Sequence, residues 1–346
     1  MTAEQKDFAV PEAPVENFAR GLRGIEIPEL GTVIHGKVRD NWVVERNGER
    51  IRVMVTTDRQ SAFDQDVCTV PGKGQVLNLT SAHEFERTRL VVPNHMIIVP
   101  HPNVLIAKQA SATLPVEIIV RDFIARSSTT TSIYHHYFNL EERTIYGIKF
   151  PDGLLPNQKL PEEMSSIITP TTKALSGIHD AVLTNEEARN IVDSRFGKDT
   201  YSKAQIAALA LFRSGVKYFG EKGLILVDTK YEFGIDENGN LMAIDEMHTP
   251  DSSRLWLAKT YRQKFLEGEN PESFDKEILR RWLADNGFTG DGSVLVVPSE
   301  IIDQMAEAYK IPYEMITGER LPQDPQSSDP DSIRQAVLGY FRNLKS

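Results

Sequence analysis

The chain has 346 residues, 40% of them hydrophobic and 25% charged, with a formal net charge of -10. That is an ordinary globular make-up, too long for one small domain and too acidic for nucleic acid or a membrane surface to be its main partner. The single cysteine, Cys68, excludes an internal disulfide and a thiolate metal cluster.

No apolar run approaches the ~20 residues of a membrane span. The first residues, MTAEQKDFAVPEAPVENFARG, lack the basic start and apolar core of a signal peptide, so the cytoplasm is the expected location. Residues 1–30 are rich in Pro and acid and are expected to lie on the surface as an arm. Gly31 to Arg39 and Trp42 to Glu45 read as strands flanking a turn, and Asn47-Gly48 as a hairpin turn with Arg52 to Thr57 returning. Asp58 to Asp64 reads as a polar loop, Val70 to Gly74 as a turn and Gln75 to Leu90 as a helix. Asn94 to Pro100 and Pro115 to Arg121 are short apolar strands, and Ile124 to Phe138 is a Ser/Thr-rich loop leading into a helix. Ile148 to Lys173, with four prolines and no period, reads as a long loop of the functional or disordered kind. Thr184-Asn185-Glu186-Glu187 carries capping-box chemistry and opens a helix; a second spans Ser202 to Phe219. After residue 256 the pattern is helical at Phe274 to Asp285, Pro298 to Lys310 and Asp331 to Leu344, with a polar linker at 317–330.

The stretch richest in chemistry is 224–256, GLILVDTKYEFGIDENGNLMAIDEMHTPDSSRLW without its leading glycine. Two apolar runs around Asn238-Gly239 read as a hairpin, because Asn and Gly tolerate the positive φ that a tight turn requires. With a two-residue turn, Glu237 faces Asn240 and Glu232 falls opposite Asp245. Carboxylates about 5 Å apart repel unless a cation lies between them. Mg²⁺ with phosphate oxygens completing its shell fits that role. Alternation also puts Asp228, Lys230 and Glu232 on one face. The bland alternative is a solvated acidic face, and a slip of one residue undoes the pairing.

Other polar clusters are weaker singly. Gly36-Lys37-Val38-Arg39-Asp40 can cover phosphates with backbone amides and Lys37, although neither a P-loop nor a GxGxxG pattern is present. Thr57-Asp58-Arg59 reads equally as a salt-bridged loop, and Gly72-Lys73-Gly74 as a flexible turn. Arg121 with Ser127 and Ser128 makes an anion pocket at a strand end, and Arg254 in Asp251-Ser252-Ser253-Arg254 makes another. Lys173 with His179-Asp180 completes the set. Together they place cations and serines beside a metal site, which suggests a nucleotide and anionic co-substrates.

These stretches resemble the SAICAR synthetase family: GKVRD at 36–40, TTDRQSAFD at 56–64, VPGKGQVLN at 70–78, VEIIVRDFIARSS at 116–128, TPTTKA at 169–174, VDTKYEFG at 227–234 and DEMHTPDSSRLW at 245–256. One departure stands out. Arg126 occupies a position where the family usually has Gly, bringing bulk and charge to a loop expected to approach substrate.

The resemblance implies an α+β, ATP-grasp-like two-lobed fold with a kinase-like N-terminal lobe and a helical C-terminal part. The expected division is an arm to residue 30, a β-rich nucleotide lobe at 31–115, a central lobe with the metal hairpin at 116–260 and helices at 261–346. It implies that ATP, 5-amino-1-(5-phosphoribosyl)imidazole-4-carboxylate (CAIR) and L-aspartate are joined through an acyl phosphate. Glu232 and Asp245 are assigned to Mg²⁺; Lys37, Arg39, Asp58 and Lys230 to ATP, with Lys230 and Lys37 catalytic; and Arg121, Ser127, Lys173, Asp180, Asp251, Ser253 and Arg254 to substrate. Monomer and homodimer both remain open. The rivals are a kinase of a small phosphorylated metabolite and a nucleotide-binding module without turnover.

Overall fold

The computed structural model describes residues 13–63, 65–127, 129–173, 180–274, 277–290, 292–322 and 328–343. Asp64, Ser128 and His179, and part of the expected linker at 317–330, lie outside the described residues.

Alternating apolar residues build the first sheet from β1 (Ile34–His35), β2 (Arg39–Arg46) and β3 (Glu49–Thr56). The Asn47-Gly48 turn joins β2 to β3, with both residues at positive φ (53° and 80°) and Arg46 paired with Glu49. The expected turn before Trp42 lies earlier, at residues 36–38, so Arg39 already belongs to the return strand. The polar loop expected at 58–64 is instead the ribbon β4 (Arg59–Ala62) and β5 (Gln65–Thr69). Its polar sequence reflects buried hydrogen bonding: Arg59, Gln60 and Thr69 are each at most 7% exposed.

Helix α1 (Lys73–Thr88) follows, then β6 (Met96–His101) and β7 (Val104–Lys108), the latter not foreseen. The sheet order is β1-β2-β3-β7-β6. A second sheet takes β8 (Ala112–Thr113), β9 (Val116–Arg121) and, after a small separate hairpin of β10 (Thr144–Ile145) and β11 (Ile148–Lys149), β12 (Ile167–Ile168) and β13 (Thr171–Thr172). The long loop expected at 148–173 is thus tied down, with Leu154, Leu160 and Met164 in a local core around Tyr137 and Phe150.

Helix α2 (Asn185–Phe196) begins with the expected capping box, Thr184 and Glu187 exchanging hydrogen bonds, and α3 (Thr200–Glu221) covers the second sheet. That sheet is completed by β14 (Leu224–Ile235), β15 (Leu241–Ile244) and β16 (Ser253–Leu257), with the last a strand the sequence did not reveal. β14 is its spine, pairing with β8, β9, β15 and β16.

The remaining helices are α4 (Ala258–Leu266), also unforeseen, α5 (Glu277–Asp285), α6 (Ser299–Thr317) and α7 (Pro330–Asn343). α6 runs through Pro312 instead of ending at Lys310. Its buried stripe of Met305, Tyr309, Tyr313 and Ile316 holds the helix across the hydrogen bond that proline cannot make. α7 returns to the first sheet, where Ile333, Val337 and Phe341 pack with Trp42, Ile51 and Val53.

Residues 13–30 do not merely lie on the surface. Leu22, Ile25 and Ile27 are buried, and Asn17 bridges the carbonyls of Val67 and Leu295 while accepting from the Val297 amide. The segment fastens the β4–β5 ribbon to the C-terminal region, where Arg20 also reaches Asp303 of α6.

Candidate active site

Successive i, i+2 residues of β14 share a face, and antiparallel pairing puts a residue of β9 opposite each of them. Asp228 pairs with Arg121 and Lys230 with Ile119, and Lys230 reaches both Glu117 and Glu232. The result is a ladder of charge spanning roughly 13 Å, at about 3.3 Å per residue over four steps.

At one end the Arg121 and Arg254 guanidinia both reach Asp228 Oδ2, at 3.0 and 2.8 Å. Two cations on one carboxylate leave a net positive site, and Thr169 Oγ1 at 2.8 Å steadies Arg121. In the middle, Lys230 Nζ donates to Glu117 and Glu232, each at 2.8 Å. Burial works against its charge, but Glu232 and Glu117 hold its pKa well above the ordinary lysine value. Burial raises the Glu117 pKa, with Lys230 opposing. Lys173 donates to the other Glu232 oxygen.

The far wall begins where β15 ends. Glu232 pairs with Ile244, not Asp245: the register is one residue off the sequence arithmetic. The cause is the turn, which holds three residues, Glu237-Asn238-Gly239, between Asp236 and Asn240. Asp236 Oδ1 accepts from the amides of Asn238 and Asn240 at 2.9 and 2.7 Å, and only Gly239 has positive φ there. An aspartate bonding its own backbone two residues on thus displaces the two-residue turn.

The two carboxylates nevertheless converge. Asp245 has a φ of 68°, a left-handed conformation that breaks the strand and turns its side chain back toward the Glu232 side. Both line one open cavity of about 390 Å³, with Arg52, His95, Lys108, Lys173 and Ile244. Arg39 grips Asp245 at 2.7 Å and Glu246 at 3.0 Å. Burial opposes the Asp245 charge, but Arg39, Lys230 and Lys173 pull its pKa below the usual carboxylate range. Burial pushes Glu246 the other way. At this end the carboxylates of Glu117, Glu232, Asp245 and Glu246 pair with Lys230, Lys173 and Arg39, and Arg52 and Lys108 bring further positive charge to the cavity.

Among the described residues no group of three or more His, Cys, Asp or Glu side chains is placed to hold an ion. Glu232, paired with Lys230 and Lys173, and Asp245, paired with Arg39, supply two carboxylates. That is the donor set of a Mg²⁺ ion that takes its remaining ligands from phosphate and water.

The other expected residues are placed unevenly. Lys37 is exposed in the 36–38 turn. That turn is pinned by buried Arg59, which donates to the carbonyls of Gly36 at 2.9 Å and Lys37 at 3.2 Å. Asp180 is exposed, and its charge acts on Glu117. Asp251 accepts from Lys73 at 2.7 Å. Ser127 is half-buried and accepts from the Thr129 amide.

Two expected residues are not brought to the ladder face. Asp58 is fully buried and accepts from the amides of Leu22 and Gly74, both at 2.8 Å, fastening residues 13–30 to α1. Ser253 pairs with Thr229 on the opposite face, with their hydroxyls 2.7 Å apart. Arg126, by contrast, disturbs nothing. It is exposed, lacks positive φ, and its amide donates to Asn157 at 2.8 Å, so this position does not need glycine.

The sequence reading missed Glu117, gave Glu246 no role, and named Arg59 and Lys73 only as parts of a loop and a turn. The alternation in Val116–Arg121 was the available signal for Glu117, since it puts residues 117 and 121 on one face.

Fold and site together define an α+β enzyme with a charged cleft between two sheets, suited to phosphorylated ligands. The family model for SAICAR synthetase matches residues 32–294, and the chain belongs to that family, the SAICAR synthetases, ligases of purine biosynthesis. A phosphoribosylaminoimidazole-succinocarboxamide synthase of Legionella pneumophila is 44% identical over 310 residues, covering 89% of this chain and 94% of the relative. The SAICAR synthase of Saccharomyces cerevisiae, solved in complex with SAICAR, superposes with a TM-score of 0.71 at 31% identity, covering 86% of this chain and 99% of that one. A SAICAR synthetase in complex with ADP gives a TM-score of 0.61 at 26% identity, covering 85% and 100%. Among the described residues no helix is long and apolar enough to cross a membrane.

Proposed function

We propose that this ligase joins L-aspartate to the carboxylate of CAIR, with ATP as activator and Mg²⁺ held by Glu232 and Asp245. The observation that carries the reading is the convergence of those two carboxylates on one cavity, ringed by Lys173, Lys108 and Arg52. A carboxylate is a poor electrophile. Transfer of the γ-phosphoryl group to a carboxylate oxygen of CAIR releases ADP and makes an acyl phosphate. The aspartate amine then attacks the acyl carbon, phosphate leaves, and the amine loses a proton.

The chain's task is positioning and charge stabilisation. Lys230, kept charged between Glu117 and Glu232, faces the phosphoryl group in flight. Lys37 and Arg39 approach the ATP phosphates from the 36–38 turn and the start of β2. Glu232 and Asp245 would hold the Mg²⁺ ion, which would supply neutralisation of phosphate charge. Arg121 and Arg254, with the net positive charge left over on Asp228, suit the CAIR phosphate. Lys173, Ser127, Asp180 and Asp251 complete the substrate set in this reading. The cytoplasm is the compartment that suits a lone, buried, reduced Cys68.

Measuring ADP release with CAIR and ATP, with and without aspartate, tests the reaction. Release tied to aspartate and matched by SAICAR formation is the expected result. Accumulation of a stable phosphorylated product without aspartate would make the protein a kinase.

A further inference from the structure

The helix α6 lies beyond the segment matched by the family model, which ends at residue 294, yet it reaches the site. Tyr309, 1% exposed, points from α6 at the loop between β15 and β16. Its hydroxyl is 2.6 Å from Asp251 Oδ1 and 2.8 Å from Gln60 Oε1. A phenol has one proton for these two acceptors. The nearer, anionic one takes it, because hydrogen bonds to ionised acceptors are shorter and stronger.

The other Asp251 oxygen is held from α1. Lys73, also 1% exposed, donates to Oδ2 at 2.7 Å and to the Arg59 carbonyl at 2.9 Å, with its ammonium 5.5 Å from the Tyr309 ring centroid. The Asp251 carboxylate is therefore oriented by two side chains from distant parts of the chain, one on each oxygen. Its side chain keeps 11% exposure, and the two oxygens of a carboxylate offer about four acceptor positions between them, so it can accept from a substrate donor as well. CAIR carries such donors in its 5-amino group and ribose hydroxyls.

We propose that Tyr309 is a positioning residue for CAIR: from α6 it fixes, with Lys73, the angle at which Asp251 accepts from the substrate. The proposal rests on the reading of Asp251 as a substrate-binding residue. Its test is Tyr309→Phe, which keeps the ring and removes the hydroxyl. The expected result is a rise in the KM for CAIR of about tenfold, from the loss of one charge-assisted hydrogen bond, with the KM for ATP unchanged and the Tm somewhat lowered. A fall in Tm and kcat with the CAIR KM unmoved would overturn it.

Asp251→Asn separates the two readings. It is expected to raise the CAIR KM and to abolish any further effect of Tyr309→Phe in the double variant. If Asp251→Asn leaves that KM unchanged, the Asp251 reading fails and takes the proposal with it. If Asp251→Asn raises it and Tyr309→Phe does not, the proposal alone fails. Gln60→Leu removes the competing acceptor and is expected to leave the CAIR KM no higher. A rise equal to that of Tyr309→Phe would make the effect one of packing and overturn the proposal.

Discussion

Asn-Gly closes two hairpins in this molecule, and the two turns differ. At Asn47-Gly48 both residues adopt positive φ and the strands pair across two residues, Arg46 with Glu49. At Asn238-Gly239 only the glycine does, and Asp236 spans a three-residue turn with its side chain. The dipeptide is the same; the residue two positions before it decides. Glu45 and Arg46 offer the backbone no short acceptor, whereas Asp236 bonds the amides of Asn238 and Asn240. A hairpin register read from the turn dipeptide alone is therefore open to a competing side chain, and one residue of error exchanges the faces of a strand. Here the left-handed conformation at Asp245 compensates, returning its carboxylate to the cavity of Glu232.

The largest expected effect contrasts the two hairpins directly. Glu232→Gln or Asp245→Asn is predicted to lower kcat at least about 10²–10³-fold, the scale of losing one preorganised electrostatic contact, with thermal melting near that of the parent. Glu45→Gln, beside the first turn, is predicted to leave kcat unchanged. Equal losses in both hairpins, by steady-state kinetics, would erase the distinction.

Asp236→Ala comes next. It removes the acceptor that sets the three-residue turn and is predicted to lower the denaturant midpoint, together with activity, because Asp245 follows from the register. A variant with full stability and full rate would show that the turn is set by something else. The smaller backbone effects at the two glycines should match. Gly48→Ala and Gly239→Ala both place a Cβ in open space at φ near 80°, so each is predicted to cost about 1 kcal/mol from conformation alone.

Acid separates the hairpins last. Glu84 is buried, which raises its pKa, but Arg87 and His248 more than offset this and hold it at about 2, below its ordinary 4.5. A carboxylate depressed on folding contributes stability above its unfolded pKa and loses it as pH falls toward the folded one. Glu84 joins α1 to the second hairpin: His248 Nδ1 lies 2.6 Å from its carboxylate, and His248 Nε2 lies 2.5 Å from the Tyr231 hydroxyl on β14. Amide exchange is predicted to quicken in β14–β15 before β2–β3 as pH falls from 4.5 toward 2.

Much of the fold was legible where period and caps agree. The capping box at Thr184, the helix over Ser202 to Phe219 and the first Asn-Gly hairpin stand as read, but the stripe expected on that helix (Ile206, Leu209, Ala210, Phe212, Arg213, Val216) does not: Ile206 is exposed and the buried face runs through Ala204, Ala208, Leu211, Phe212 and Phe219. What escaped was structure whose cause lies elsewhere in the chain. β4 and β5 look like a loop because their polar residues are satisfied by the Gly36 turn and by Asn17. α6 outlasts Pro312 because its partners are on α1 and the ribbon. In the site, Glu232, Lys230 and Arg121 were visible as alternating charges among apolar residues. Tyr309 was not, since nothing in its own helix marks it apart from other buried aromatics.

The central claim is that Glu232 and Asp245 jointly hold the divalent ion. Mn²⁺ binding to the parent and to Asp245→Asn, measured by electron paramagnetic resonance with a non-hydrolysable ATP analogue present, tests it most directly. The account predicts one tight site in the parent and its loss in the variant. Unchanged Mn²⁺ affinity in Asp245→Asn would contradict it.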